Sequence, residues 1–283
     1  MSRFFNETQK ARQWANNVAD PAPLDVETVM EAIQQDEVEA SDPLVVSLPS
    51  VRQIHVGKAI KDLITEPNIN TPLTDPVGEA YRTLRTRVMR LQASKGIRSI
   101  MLTSAVPAEG KTVTALNLAL SCAQLHDQRI LLVDGDLRSR GLTRLLAIPD
   151  GVGLSDILSG KSLIDEAVLA TEHKNFFVVG AGTPCGQPAE LLASPRWSEF
   201  IVWSKQSFAT IVVDTPPIHS LADAELISAV CDGVLLVVKA FSTPREMTQK
   251  CGSRIDKRKL MGIVFNGVPN NRENRYNYDG VSS

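Results

Sequence analysis

Three stretches of the chain carry side chains that could hold phosphate and a divalent cation together. Gly110-Lys111-Thr112 stands where a strand-like run ends and a helix-like run begins. Unpaired backbone amides at a helix N-terminus, with its positive dipole end, suit phosphate. A lysine there reaches the outer phosphates, and a Ser/Thr hydroxyl takes Mg²⁺. Ala105 replaces the first glycine of the usual G-x-x-x-x-G-K-S/T pattern. Two further strand-like runs end in acids: Asp134-Gly135-Asp136, followed by Arg138, and Asp214-Thr215-Pro216-Pro217. In an open parallel sheet, ligands bind beyond the carboxyl ends of the strands. One phosphate cradle and three carboxylates would meet there, which is the equipment for Mg-nucleotide chemistry. Burying such acids without a cation is costly, so a purely structural reading is poor.

The elements that must position these residues follow from the apolar pattern. Strand-like runs fall at 98–104, 129–136, 176–182, 209–216, 232–239 and 260–267. Between them lie helical stretches such as Thr112 to Leu125, Pro188 to Ser194, Ala222 to Val230 and Pro244 to Lys257. Before the first strand, Val77, Tyr81, Leu84, Val88 and Leu91 recur at helical spacing with arginines between them. Strands alternating with helices mean βαβ units. The expected fold is α/β, a doubly wound and mainly parallel sheet flanked by helices.

Composition sets the boundaries. Residues 1–75 carry 6 basic and 12 acidic side chains, and the remaining 208 carry 24 and 20. No basic residue lies between Arg12 and Arg52, a stretch that also holds Pro21, Pro23 and Pro43. Residues 1–75 therefore read as an acidic, largely disordered extension. Residues 76–268 read as the folded domain, and 269–283 as a flexible tail holding Tyr276 and Tyr278. The net charge of −2 gives no reason to expect nucleic acid. No apolar run approaches the ~20 residues of a membrane span, and the N-terminus lacks a secretory apolar core. A cytoplasmic protein is the expectation. Cys122, Cys185, Cys231 and Cys251 form no Cys-x-x-Cys pair, which excludes a disulfide framework or a zinc site.

Several segments in order resemble the bacterial tyrosine kinases of capsule and exopolysaccharide synthesis, a P-loop ATPase type of kinase. EAYRTLRTRV (79–88) is similar to the family's Glu-x-x-Arg-x-x-Arg helix, SAVPAEGKTVTALNLA to its Walker A loop, and LLVDGDLR to its second Asp-x-Asp motif. GVGLSDILSG, AGTPCGQPAELLAS, TIVVDTPP and GIVFNGV continue the pattern. The resemblance implies an ATP- and Mg²⁺-dependent autokinase acting on tail tyrosines between subunits. Lys111 would bind the β- and γ-phosphates, with the loop from Ala108, Glu109 and Gly110 to Thr112 and Val113 around them. Thr112, Asp136 and Asp214 would hold Mg²⁺. Asp134 would accept the tyrosine proton, although Asp134 and Asp136 could exchange roles, and Asn266 would meet adenine.

The resemblance also makes Tyr276 and Tyr278 the phospho-acceptors, and Glu79, Arg82 and Arg85 the contacts of a homo-oligomeric ring. It implies a separate transmembrane polysaccharide co-polymerase as activator, recruiting the kinase to the inner face of the membrane. Phe4, Phe5 and Trp14 are candidate contacts for it, and a frayed tail is the other reading of that segment. Two alternatives share the site: a switch ATPase of the division-site or partition type, and a non-catalytic nucleotide-sensing scaffold. Residues 105–109, Ala-Val-Pro-Ala-Glu, hold none of the extra lysine that many switch ATPases carry.

Overall fold

The computed structural model describes residues 52–54, 76–125, 128–218 and 222–268. Most of the acidic extension and the tail with Tyr276 and Tyr278 lie outside the described residues. An amphipathic helix, α1 (Pro76–Lys95), precedes the first long strand, β2 (Ser99–Ser104). The six runs expected as strands are β2, β3 (Ile130–Asp134), β5 (Phe176–Val179), β6 (Thr210–Asp214), β7 (Gly233–Lys239) and β8 (Leu260–Asn266). They pair in parallel in the order β5-β3-β6-β2-β7-β8. Both faces are covered, which is why these strands read as continuous apolar runs rather than as alternations.

The period-two pleat sorts the side chains into two cores. Ile100, Leu102, Leu132 and Val212 face α2 (Lys111–Ala123), packing with its Leu116 and Leu118 and with Val88 of α1. Met101, Leu131, Val133 and Val213 face the opposite layer. That layer holds α4 (Leu154–Ser159), α7 (Pro195–Ser207) and α8 (Ala222–Val230). Trp197, Phe200 and Ile201 fill its centre, one helical face of α7.

Several elements differ from the sequence expectation. The first helix after the phosphate loop is Lys111–Ala123, and α9 stops at Gly252 (Arg245–Gly252), five residues short of Lys257. Beyond α6 (Pro188–Leu192), a new helix begins at Pro195, whose fixed φ suits a first helical turn. Short pieces were not delineated: α3 (Gly141–Leu145), α5 (Ile164–Ala167) and β4 (Leu169–Ala170). β4 runs antiparallel to β5. Within the acidic extension, β1 (Arg52–Gln53) pairs in parallel with β4, and Ile54 is buried in the α2-side core.

Candidate active site

The site forms because β3, β6 and β2 are neighbours. Asp134 is register partner to Asp214, and Asp214 is partner to Leu102, two residues before the end of β2. Three consecutive strands thus deliver the acidic ends and the phosphate loop to one edge. Across that edge the Lys111 ammonium lies 3.7 Å from Asp136 Oδ2 and 3.7 Å from Asp214 Oδ1. Its Nζ also donates to Thr112 Oγ1 at 3.3 Å. These are charge contacts rather than tight hydrogen bonds.

The loop itself is under conformational constraint. Gly110 takes φ +87°, and a Cβ there would stand 2.0 Å from Asn266 Nδ2. Ala108 also has positive φ (63°), unusual for a residue with a side chain. Thr114 back-bonds to the Gly110 carbonyl at 2.9 Å, closing the first turn of α2. Asn266, at the end of β8, donates its amide to the Glu109 carbonyl at 2.9 Å. Its amide nitrogen therefore supports the phosphate loop. The residue also lines an open cleft of about 620 Å³ between α1 and β8, with Tyr81, Leu84 and Thr114.

The three carboxylates have distinct surroundings. Asp134 is fully enclosed: Oδ2 accepts from the Thr143 amide (2.8 Å) and hydroxyl (2.7 Å), and Oδ1 from the Asp136 amide (3.2 Å). Burial pushes its carboxyl up to about 6, against the pull of Thr143. Asp136 is tied through Oδ1 to the Ser139 amide at 3.0 Å. Asp214 is also buried, and neither of its oxygens has a hydrogen-bond partner among the described residues. Burial raises it to about 7 although the Lys111 charge opposes the shift.

Orphaned buried oxygens on Asp214, a carboxylate oxygen of Asp136 and the Thr112 hydroxyl form a hard-oxygen donor set. They fit Mg²⁺, which takes one or two carboxylates with waters and substrate phosphates. Among the described residues no group of three or more acids, histidines or cysteines is placed to hold a metal alone. The phosphate-dependent arrangement needs none.

Three supporting contacts are not marked by the sequence motifs. Thr143, nine residues from Asp134, has no periodic relation to it. Arg138 grips Asp223 of α8 with two bonds, at 2.6 and 3.1 Å, tying the acidic loop to the opposite layer. Glu109 was read only as part of the loop, yet its carboxylate turns inward. Of the expected ring residues, Arg82 pairs with Glu79 at 2.8 Å along α1. Arg85 donates to the Ser121 carbonyl of α2 at 2.7 Å, a contact within the same chain.

Compared with profiles of known protein families, the chain matches none. Single proteins are more telling. The tyrosine-protein kinase YwqD of Bacillus subtilis is 35% identical over 205 residues, covering 72% of this chain and 86% of that one. The chain belongs to the bacterial tyrosine-protein kinase family. The solved chimerical protein CapA2B2 superposes with TM-score 0.67 at 28% identity, covering 78% of this chain and 94% of its own. The kinase domain of the Escherichia coli tyrosine kinase ETK gives TM-score 0.66 at 26% identity, covering 77% and 90%. Family membership and the P-loop geometry together make this a nucleotide-binding kinase domain.

Proposed function

We propose that this member of the family is an ATP- and Mg²⁺-dependent autokinase that phosphorylates Tyr276 and Tyr278 between subunits of a homo-oligomeric ring. Through that modification it governs extracellular polysaccharide synthesis and export. The observation that carries the reading is the Lys111 ammonium held 3.7 Å from both Asp136 and Asp214 at adjoining strand ends. The equipment neutralises and orients phosphates, which is most of what phosphoryl transfer requires.

In this reading the loop from Ala108 to Val113 and the Lys111 ammonium bind the β- and γ-phosphates. Thr112, Asp136 and Asp214 hold Mg²⁺. The bound ion would neutralise charge between phosphate oxygens and keep the transferring group in line. The tyrosine oxygen bonds to the γ-phosphorus as the bond to the β-phosphate oxygen breaks, releasing ADP. Asp134, register partner of Asp214 and two residues before Asp136, takes the tyrosine proton. Thr143 and the Asp136 amide cover Asp134, so this role requires that cover to open to the acceptor. Asn266 meets the base from the cleft beside α1.

In this reading residues 76–268 are the kinase and 269–283 the substrate tail, and residues 1–75 are an acidic extension whose Arg52–Gln53 joins the kinase sheet. Among the described residues, no helix is long and apolar enough to cross a membrane. A transmembrane polysaccharide co-polymerase on a separate chain activates the kinase at the inner face of the membrane. A mixing experiment tests transfer between subunits. Lys111→Met keeps the tail and loses the cradle, whereas Tyr276→Phe with Tyr278→Phe keeps the cradle and loses the tail. Incubated together with Mg-ATP, the Lys111→Met chain gains phosphotyrosine. A mixture that stays unlabelled, beside a self-labelling wild type, contradicts transfer between subunits.

A further inference from the structure

The phosphate loop is gripped from one side by a turn that no motif marks. Glu109 is buried, and its Oε2 accepts from the Val106 amide across the loop at 2.9 Å. Oε1 accepts from the Lys239 amide at the end of β7, at 3.2 Å, and from the Thr243 hydroxyl. Both oxygens are thereby engaged, and the carboxylate is held by the loop and the turn. The Cys251 thiol of α9 lies 3.9 Å from the Ala105 carbonyl, so the segment after β7 touches the loop at a further point.

The turn is itself well defined. The amides of Ser242 and Thr243 both donate to the Lys239 carbonyl, at 3.3 and 3.2 Å. Its tip, Phe241, holds φ +58° with an exposed side chain. In the phosphate loop, Ala108 keeps a left-handed backbone immediately before Glu109. An alanine stays in that conformation only where its surroundings over-determine it. The three donors on the Glu109 carboxylate supply such a constraint beside the Asn266 bond to the Glu109 carbonyl, and bonds to a carboxylate are the stronger kind.

We infer that Thr243 is a positioning residue for nucleotide binding: through Glu109 it fixes the phosphate loop in the shape that receives the phosphates. The inference rests on reading that loop as the nucleotide cradle. Removing the Thr243 hydroxyl leaves that oxygen with only the longer Lys239 amide bond, lets Ala108 relax, and disperses the loop amides before nucleotide arrives. Binding therefore weakens, whereas transfer from nucleotide already seated is spared.

The test uses Thr243→Val, which keeps the shape without the hydroxyl, and Thr243→Ser, which restores it. Thr243 is half-buried in a largely exposed turn, outside both cores, so both variants fold, and thermal melts verify this. Thr243→Val raises the dissociation constant for fluorescent Mg-ADP, and the KM for ATP, about ten-fold. Its kcat for tail phosphorylation changes by less than about two-fold, and Thr243→Ser binds like wild type. Wild-type affinity and KM in Thr243→Val overturn the positioning role, as does a loss confined to kcat. A wild-type chain that binds no Mg-ADP overturns the nucleotide reading instead, and the two failures are separate.

Discussion

At the scale of single residues, the site is a cluster of buried charge held in check by one lysine. Asp214 and Asp134 are raised from 3.8 to about 7 and about 6, chiefly by burial. Between those values the folded, metal-free chain holds protons that the unfolded chain has released. Their contribution to stability is therefore full below the ordinary carboxylate range and is lost as pH rises through about 6 to 7. The thermal midpoint of protein free of metal and nucleotide should fall by several degrees between about pH 5 and pH 8. Asp214→Asn removes one of the three buried carboxylate charges. Its midpoint at about pH 8 should rise above wild type, while its affinity for Mg-nucleotide drops at least about ten-fold. Melts at the two pH values with and without Mg-ADP check both signs, and a lower midpoint in the variant contradicts the account. Lys111, Asp136 and Asp214 were legible in the sequence because each belongs to a strand-end motif. Thr143 and Thr243 were not, because they act as hydrogen-bond partners from distant parts of the chain.

At the scale of elements, parallel pairing does most of the positioning. Six strands were legible because strands covered on both faces are apolar runs, and their order in the chain already interleaves with helices. The short pieces α3, α5, β1 and β4 span two to five residues, too few for a period to show. One connection between elements admits a sharp test. Gly153, before α4, lies against the backbone leaving β5, where a Cβ would meet Gly182 N at 2.4 Å and Gly180 O at 2.6 Å. The amides of Leu154 and Ser155 bond to the Gly180 and Ala181 carbonyls there, each at 2.9 Å. No spacing in the sequence marks that approach, since the glycine's own backbone is extended. Gly153→Ala should destabilise the domain by about 1–3 kcal/mol through backbone displacement. Urea unfolding measures it, and an unchanged midpoint would show that the contact yields freely.

At the scale of the whole molecule, a parallel sheet carries its chemistry at one end and leaves β1 and β8 at its edges. Along β8, Ile263 and Phe265 are exposed beside the cleft that Asn266 lines. An exposed apolar edge strand is a ready surface for another chain, in keeping with the proposed assembly. The family was legible because seven segments agreed in order. The partner and the role of residues 1–75 were not, because so acidic and proline-bearing a stretch offers little apolar pattern to read. The most direct measurement is mass spectrometry of the C-terminal tryptic peptide, Tyr276 to Ser283, after incubation with Mg-ATP. Phosphate on Tyr276 or Tyr278 in the wild type, and none in Lys111→Met, is the predicted result. An unmodified wild-type peptide, or equal modification in Lys111→Met, would contradict the claim that this strand-end site phosphorylates its own tail.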